Sequence, residues 1–307
     1  MTEPVPHQIE GDLRKAKRLA SWTIAWMISI IVVMAMVMGS SQAMKTAFIE
    51  DLLSVVPSIV LLIALKLERK EPTRLFPHGY DRAHSLAFLI AAVALTAMGA
   101  VLLIEACITL AMQEHITIPS ITLFGQTFWL GWLMIAALAY SVVPPLILGR
   151  MKLPVAKRAH DAVLHTDAMM QKADWMTGLA GIAGVLGVGL GFWWADAAAA
   201  GLISLSILQD GVKALRLASA ELVDGVPREL GSSKMAKDAQ ALSDALAARW
   251  PDGDVRLRES GRYILAQIRG VAPPGEVDID SLWPCEPERA WRFAELSFVP
   301  PEPDSRP

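Results

Sequence analysis

For its first two thirds the chain alternates long apolar windows with short polar connections, and after Pro227 the pattern changes. A hydrocarbon core about 30 Å thick needs about 20 helical residues, so apolar windows of about 18 residues or more mark candidate membrane spans. Six are legible, at about 21–39, 46–67, 85–112, 124–149, 161–190 and 193–217. The second carries Glu50 and Asp51 near its start, and the fifth has a polar first half. The opening twenty residues lead into the first window with no small-residue cleavage site close behind. That predicts a retained helix rather than a removed leader.

Beyond Pro227 the pattern is that of a small water-soluble fold. Residues 232–250 read as an amphipathic helix with Ala and Leu on one face. Residues 255–258 and 262–270, on either side of Glu259-Ser260-Gly261, predict a β-hairpin. Pro273, Pro274 and Gly275 end it, and a short helix near 287–292 and a strand over 294–299 complete an α+β unit. The predicted organisation is a cytoplasmic segment over 1–20, a six-helix transmembrane domain over 21–222, a cytoplasmic domain over 223–300 and a frayed tail over 301–307. About 80 residues make a marginal core alone, which favours docking against a second copy.

Composition agrees with a membrane chain: 53% of residues are hydrophobic, 19% are charged, and the mean hydropathy is +0.40. The formal net charge of -3 averages two unlike parts, and the basic residues never gather into one run that would favour nucleic acid. Cys107 and Cys285 are too far apart in sequence for a CxxC site and read as unpaired thiols. The order of the basic residues is more informative. Arg14, Lys15, Lys17 and Arg18 precede the first window; Arg69, Lys70, Arg74 and Arg82 separate the second and third; Arg150, Lys152, Lys157 and Arg158 separate the fourth and fifth. The opposite connections hold only Lys45. Cytoplasmic loops attract Lys and Arg, so both termini are expected inside an inner membrane.

Charged side chains within spans cost a few kcal/mol each and by default mark an ion or proton path. In the second window Glu50 and Ser54 share one helical face, and Asp51, Ser54 and Ser58 an adjoining stripe. In the fifth, Asp167, Gln171, Asp174 and Gly178 form one stripe, bordered by Met170. If the two helices pack together, carboxylates meet beside hydroxyl, amide and thioether groups. Such a set suits a divalent cation, and carboxylates that take a cation or protons in turn permit exchange. A solvated interfacial carboxylate is the competing reading for Glu50, Asp51 and Asp167, whereas Asp174 lies deeper. Lys172, on the opposite face, is expected to snorkel or to pair with an acid of a neighbouring helix. Glu105, His160 and His165 read as interfacial polar groups rather than ligands. Glycines at 178, 181, 184, 187 and 191 suit close helix packing, and Pro57, Pro144 and Pro145 mark kinks. No nucleophile elbow, His-metal triad or phosphate loop appears, so catalysis is not expected.

Four segments together resemble the cation diffusion facilitator family. FPHGYDRAHSLAFL (76–89) resembles its loop into helix three, and KTAFIEDLLS (45–54) its helix two. Residues 174–208 resemble helices five and six, including an acid that opens helix six, here Asp196; VRLRESGRYILAQI (255–268) resembles the first hairpin of the C-terminal domain. The resemblance implies a membrane all-α six-helix bundle followed by a small α+β, ferredoxin-like cytoplasmic domain. It implies a homodimeric secondary carrier that exports zinc, manganese or iron in exchange for protons, with no permanently bound cofactor. The family's transport site uses two side chains four apart on helix two and two four apart on helix five. Here Asp174 matches the second helix-five position and Met170 stands at the first; on helix two either Glu50 with Ser54 or Asp51 fits. The candidate ligand set is therefore Glu50, Asp51, Ser54, Asp167, Met170 and Asp174. His84 stands where the family carries Glu, and Tyr80 where it carries a loop His, which argues against a second loop metal site. Without central histidines, an oxygen-rich set leans toward manganese or ferrous iron. The departed set also leaves a second expectation: a non-transporting membrane scaffold or metal sensor of the same fold.

Overall fold

A computed structural model describes residues 7–37, 42–112, 120–123, 126–192 and 194–301. Side chains are described throughout these except at 7–8, 34–37, 42–50, 120–131, 133–134, 188, 195–196 and 199. Among the described residues the chain is mostly helical, with six long helices: α1 (His7–Val37), α2 (Gln42–Leu67), α3 (Arg82–Met112), α4 (Leu130–Ala159), α5 (Ala162–Gly189) and α6 (Ala195–Leu222). Among the described residues, Ile9–Val33, Arg82–Met112 and Ile135–Ala159 are long and apolar enough to cross a membrane. The outward faces carry exposed apolar side chains, among them Trp22, Ile28, Val93, Ile104, Ile147 and Leu202. A water-soluble bundle would turn these inward.

Two helices differ from the expected windows. α1 starts fourteen residues before the first apolar window, because Ile9, Leu13, Ala16 and Ala20 recur at spacings of three and four and are all buried, while Arg14, Lys15, Lys17 and Arg18 face outward. Those cations are therefore helical, not part of a free tail. α4 starts later than the fourth window and runs ten residues beyond it, through Pro154. Arg150, Lys152, Lys157 and Arg158, expected in a loop, lie within α4. In the connection before α4, which carried no strand expectation, β1 (Ser120–Leu123) pairs antiparallel with β2 (Gln126–Trp129).

Where helices come closest, glycine makes room. A Cβ on Gly99 of α3 would lie 2.6 Å from the Leu208 amide nitrogen, and one on Gly211 of α6 would lie 2.7 Å from Thr96 Cα. Gly178 of α5 takes the Val142 side chain of α4 at 2.4 Å from where its Cβ would stand, the close approach that the glycine spacing implied. One core joins Leu13 and Ala16, Leu61 and Ala64, Ala87 and Phe88, Val155 and Ala156, Leu164, and Ala218 across all six helices.

The C-terminal unit consists of α7 (Lys237–Arg249), β3 (Asp254–Ser260), β4 (Tyr263–Arg269), two 3₁₀ turns (Asp280–Leu282 and Pro287–Arg292) and β5 (Phe293–Val299). Its sheet has the order β3-β4-β5, with β3 antiparallel and β5 parallel to β4. Three strands make a smaller sheet than a full ferredoxin-like fold. Burial alternates along β4, with Ile264, Ala266 and Ile268 turned inward, as a half-buried strand requires. Ala239, Leu242 and Leu246 of α7 meet that face at helical spacing. The β3–β4 loop is the two residues Gly261 and Arg262, with Gly261 at φ +63° in the first central position that a type II′ turn reserves for glycine.

Candidate metal-cation site

Ser54 and Ser58 stand one turn apart on α2, and both are buried. α2 packs against α5, and two hydrogen bonds cross the seam. Ser54 Oγ donates to Asp174 Oδ1 at 2.6 Å, and Ser58 Oγ lies 2.8 and 2.9 Å from the two carboxylate oxygens of Asp167. Residue number rises along α2 as it falls along α5, so the helices run antiparallel and form two polar rungs: Ser58–Asp167, nearer the C-terminal unit (the inner rung), and Ser54–Asp174, farther from it (the outer rung). Gln171 Nε2 reaches Asp174 Oδ2 at 3.3 Å, and Ser54 lies 3.7 Å from Met98 Sδ of α3. Asp51, partly exposed on α2, lies near enough to act on Asp174 electrostatically.

The structure thus brings Ser54 and Asp174 together, as the candidate set requires. It treats the other members differently. Met170 is fully buried in an apolar cluster with Leu95, Met98, Leu102, Ala173 and Ile207; the thioether given to Ser54 is that of Met98. Asp167 is fully buried, and neither oxygen is free: besides Ser58, it accepts a hydrogen bond from Lys152 Nζ at 2.6 Å, and Lys152 is itself fully buried. The Glu50 side chain lies outside the described residues, as does that of Asp196. Among the described residues no group of three or more His, Cys, Asp or Glu side chains is arranged to hold a metal. The oxygen donors of the outer rung are one carboxylate, one hydroxyl and one amide.

Sequence reasoning missed Lys152. It lies three residues past an apolar window, and nothing in the local pattern separates a cation in a loop from one turned into a helix seam. Lys172 does pair with a neighbouring acid, Asp210 of α6, at 3.5 Å where both are half exposed. His160 is buried, with Nε2 3.5 Å from Glu259 Oε1. His84 is buried with Nε2 3.1 Å from Asp161 Oδ1; it lies at the contact with the C-terminal unit.

That contact lies just beyond the inner rung. The hairpin tip of β3–β4 inserts among the ends of α2, α3 and α5. The Gly261 amide donates to Ser85 Oγ at 3.0 Å. Arg262, fully buried, donates from Nη1 to both oxygens of Glu68 at 2.9 and 3.1 Å and from Nη2 to Asp161 Oδ2 at 2.9 Å. Burial alone would raise the Asp161 carboxyl, but His84, Arg262 and the Leu164 amide outweigh it and hold the group well below the usual carboxylate range. Arg292 braces the tip, donating to Asp238 at 2.6 Å, to Glu259 at 3.0 Å and to the Arg262 carbonyl at 3.3 Å. At the surface Arg82 of α3 and Arg258 of β3 both bond Asp224.

A bundle with apolar outward faces and a buried carboxylate–hydroxyl seam defines an integral membrane protein able to handle a cation. The family model of the cation efflux transmembrane domain matches residues 19–223, two thirds of the chain. The chain belongs to this cation diffusion facilitator family. A Mycobacterium tuberculosis protein named "Probable cation efflux system protein" is 27% identical over 231 residues, and matches in two strains. That match covers 75% of this chain and 63% of the relative. A manganese efflux system protein of Bacillus subtilis is 24% identical over 185 residues, 60% of each chain. The chain thus spans less than two thirds of the length of the relatives it matches.

Proposed function

We propose that the protein is a secondary carrier that exports a divalent metal ion from the cytoplasm by exchange for protons. All six long helices span an inner membrane, both termini are cytoplasmic, and two copies form the working dimer. The cation is held by Asp174 and Ser54, with Gln171 as an amide donor and with Asp51 and Glu50 completing the set from α2. One observation carries this reading: the 2.6 Å hydrogen bond from Ser54 to Asp174 joins α2 and α5, with Asp174 at the second helix-five position that the family resemblance implies and Ser54 in one of the two helix-two registers that it leaves open. Oxygen donors without histidine favour manganese or ferrous iron over zinc, in line with the manganese efflux relative. Alternating access rocks the helices about this seam, and the carboxylates take protons on the outward side to reset.

The test is flux in proteoliposomes, with Mn²⁺ on one side and a pH gradient across the membrane. Wild-type protein should exchange Mn²⁺ for protons, and Asp174→Asn, which keeps shape but removes charge, should abolish exchange. Full exchange by Asp174→Asn would overturn the site.

A second reading, a membrane scaffold or metal sensor that no longer transports, is favoured by the engagement of Asp167 with Lys152 and Ser58. It predicts no metal-driven proton movement by wild-type protein.

A further inference from the structure

Lys152 is the strongest feature that the carrier reading leaves unused. A fully buried lysine is rare unless paired, and this one sits on α4 in the seam where α2 and α5 meet. Its Nζ is 2.6 Å from Asp167 Oδ2 and 3.4 Å from Ser58 Oγ, and neither Lys152 nor Asp167 has any exposed side-chain surface. Together the lysine and the two serine contacts occupy both oxygens of Asp167. Whichever partner holds the shared proton, the pair is neutral as a unit. Asp167 and Asp174 are seven residues apart on one helix, so the neutral pair lies about 10 Å along the axis from the carboxylate of the outer rung.

We propose that Lys152 is a built-in counter-cation that withdraws Asp167 from ion binding and thereby sets the charge, and so the affinity and turnover, of the site on α2 and α5. This rests on the carrier reading above. A chain with a free acid at Asp167 would present a second carboxylate on the path between cytoplasm and outer rung, and a passing divalent ion would be held more tightly and released more slowly. With Lys152 present the inner rung offers no net charge. The ion meets Asp174 with its α2 neighbours, a weakly charged oxygen site suited to hard divalent ions that shed and regain water readily. Lys152 is a positioning residue here, since it acts through Asp167 and touches no ion.

The experiment is calorimetric titration of the full chain in detergent with Mn²⁺ and with Zn²⁺, paired with proteoliposome flux. Four proteins are compared: wild type, Lys152→Met, Lys152→Met/Asp167→Asn and Asp174→Asn. Removing a unit charge about 10 Å from a divalent ion, at an effective dielectric of about 20, changes affinity by more than tenfold. Lys152→Met should bind both ions at least about tenfold more tightly, or take up a second equivalent, and should turn over more slowly. The double variant restores a neutral inner rung without charges, so it stays foldable and should match wild-type affinity within about threefold. Loss of binding in the double variant would show Asp167 to be a ligand and would overturn the proposal, as would unchanged affinity and stoichiometry in folded Lys152→Met. Asp174→Asn separates the two readings. If it binds like wild type, the carrier site itself is wrong; if it alone loses binding and the double variant behaves as wild type, both stand. A wild-type protein that binds neither ion overturns both.

Discussion

Arg262 offers the sharpest test of how the two parts of the chain are joined. Replacing it with Met keeps most of the volume and removes the guanidinium. Three charge-assisted hydrogen bonds are lost, two to Glu68 and one to Asp161, each between 2.9 and 3.1 Å. Such bonds contribute about 1.5–3 kcal/mol each in isolation, but they share one cation and do not add. The larger cost is what remains: two carboxylates with almost no solvent, Glu68 without a counter-charge and Asp161 left with His84 alone, beside a helix-packed wall. Breaking a buried pair from one side costs about 3–5 kcal/mol, and that is the expected loss for Arg262→Met. Chemical unfolding in detergent, followed by tryptophan fluorescence, measures it, and limited proteolysis near 223–236 reports undocking of the C-terminal unit. Arg262→Met combined with Glu68→Gln and Asp161→Asn should recover at least about 2 kcal/mol, because no orphaned charge is left. A loss below about 1 kcal/mol in the single variant, or no recovery in the balanced one, would refute the reasoning.

Three further outcomes follow from the same geometry. Because the Asp161 carboxyl is held below its ordinary value of 3.8, its contribution to docking is complete above that pH and is lost only as pH falls further; protease resistance of the junction should therefore persist down to about pH 4. Asp81 shows the opposite sign: burial first, then the neighbouring Glu68, push its carboxyl up to about 6 against the pull of Arg262, so its ionised form opposes folding. Asp81→Asn should raise stability by about 1 kcal/mol at pH 7.5, after discounting for its partial exposure, with the gain shrinking as pH falls below about 6 and gone only below about pH 3.8. Val at Gly99 or Gly211 must push backbone that stands 2.6 to 2.7 Å from the new Cβ; each should cost about 1–3 kcal/mol by separating α3 from α6, read as a lowered midpoint in thermal unfolding.

The elements were legible where one periodicity ruled them. The starts of α2, α3 and α5 follow the apolar windows closely, and the hairpin of β3 and β4 follows from alternation around a tight glycine turn. The extra length of α1 was visible in principle, since Ile9, Leu13, Ala16 and Ala20 carry a helical stripe, but a hydropathy window averages that stripe with the cations beside it. The end of α4 was hidden for a related reason, as Arg150, Lys152 and Pro154 all read as signs of a loop. At the candidate site, the spacing on each helix gives the faces that carry Ser54 and Asp174, and these two side chains meet. Their neighbours were not found, because a helical wheel says which residues share a face and not which helix fills it. The sequence offers Asp167 as a ligand or a solvated interfacial acid, and neither reading includes the buried lysine that α4 supplies.

Partners far apart in sequence explain the rest. Arg262 meets Glu68 and Asp161 across separations of 194 and 101 residues, and no local pattern encodes such a meeting. Its position nonetheless has a physical logic. Glu68 follows directly on α2 and Asp161 directly precedes α5, so a single guanidinium ties together the near ends of the two helices that carry Ser54, Ser58, Asp167 and Asp174. Gly261 makes the insertion possible. A Cβ there would lie 2.7 Å from the Asp81 carbonyl oxygen, and the backbone is left-handed at φ +63°. Gly261→Ala therefore combines a left-handed penalty of about 1–2 kcal/mol with a collision against backbone that cannot yield. It should release the hairpin tip while leaving the α2–α5 rungs intact, so the junction should become protease-sensitive while Mn²⁺ still binds in calorimetry. Loss of Mn²⁺ binding together with docking would mean that the tip does more than fasten the two parts, and that the inner ends of α2 and α5 depend on it to hold the rungs in register.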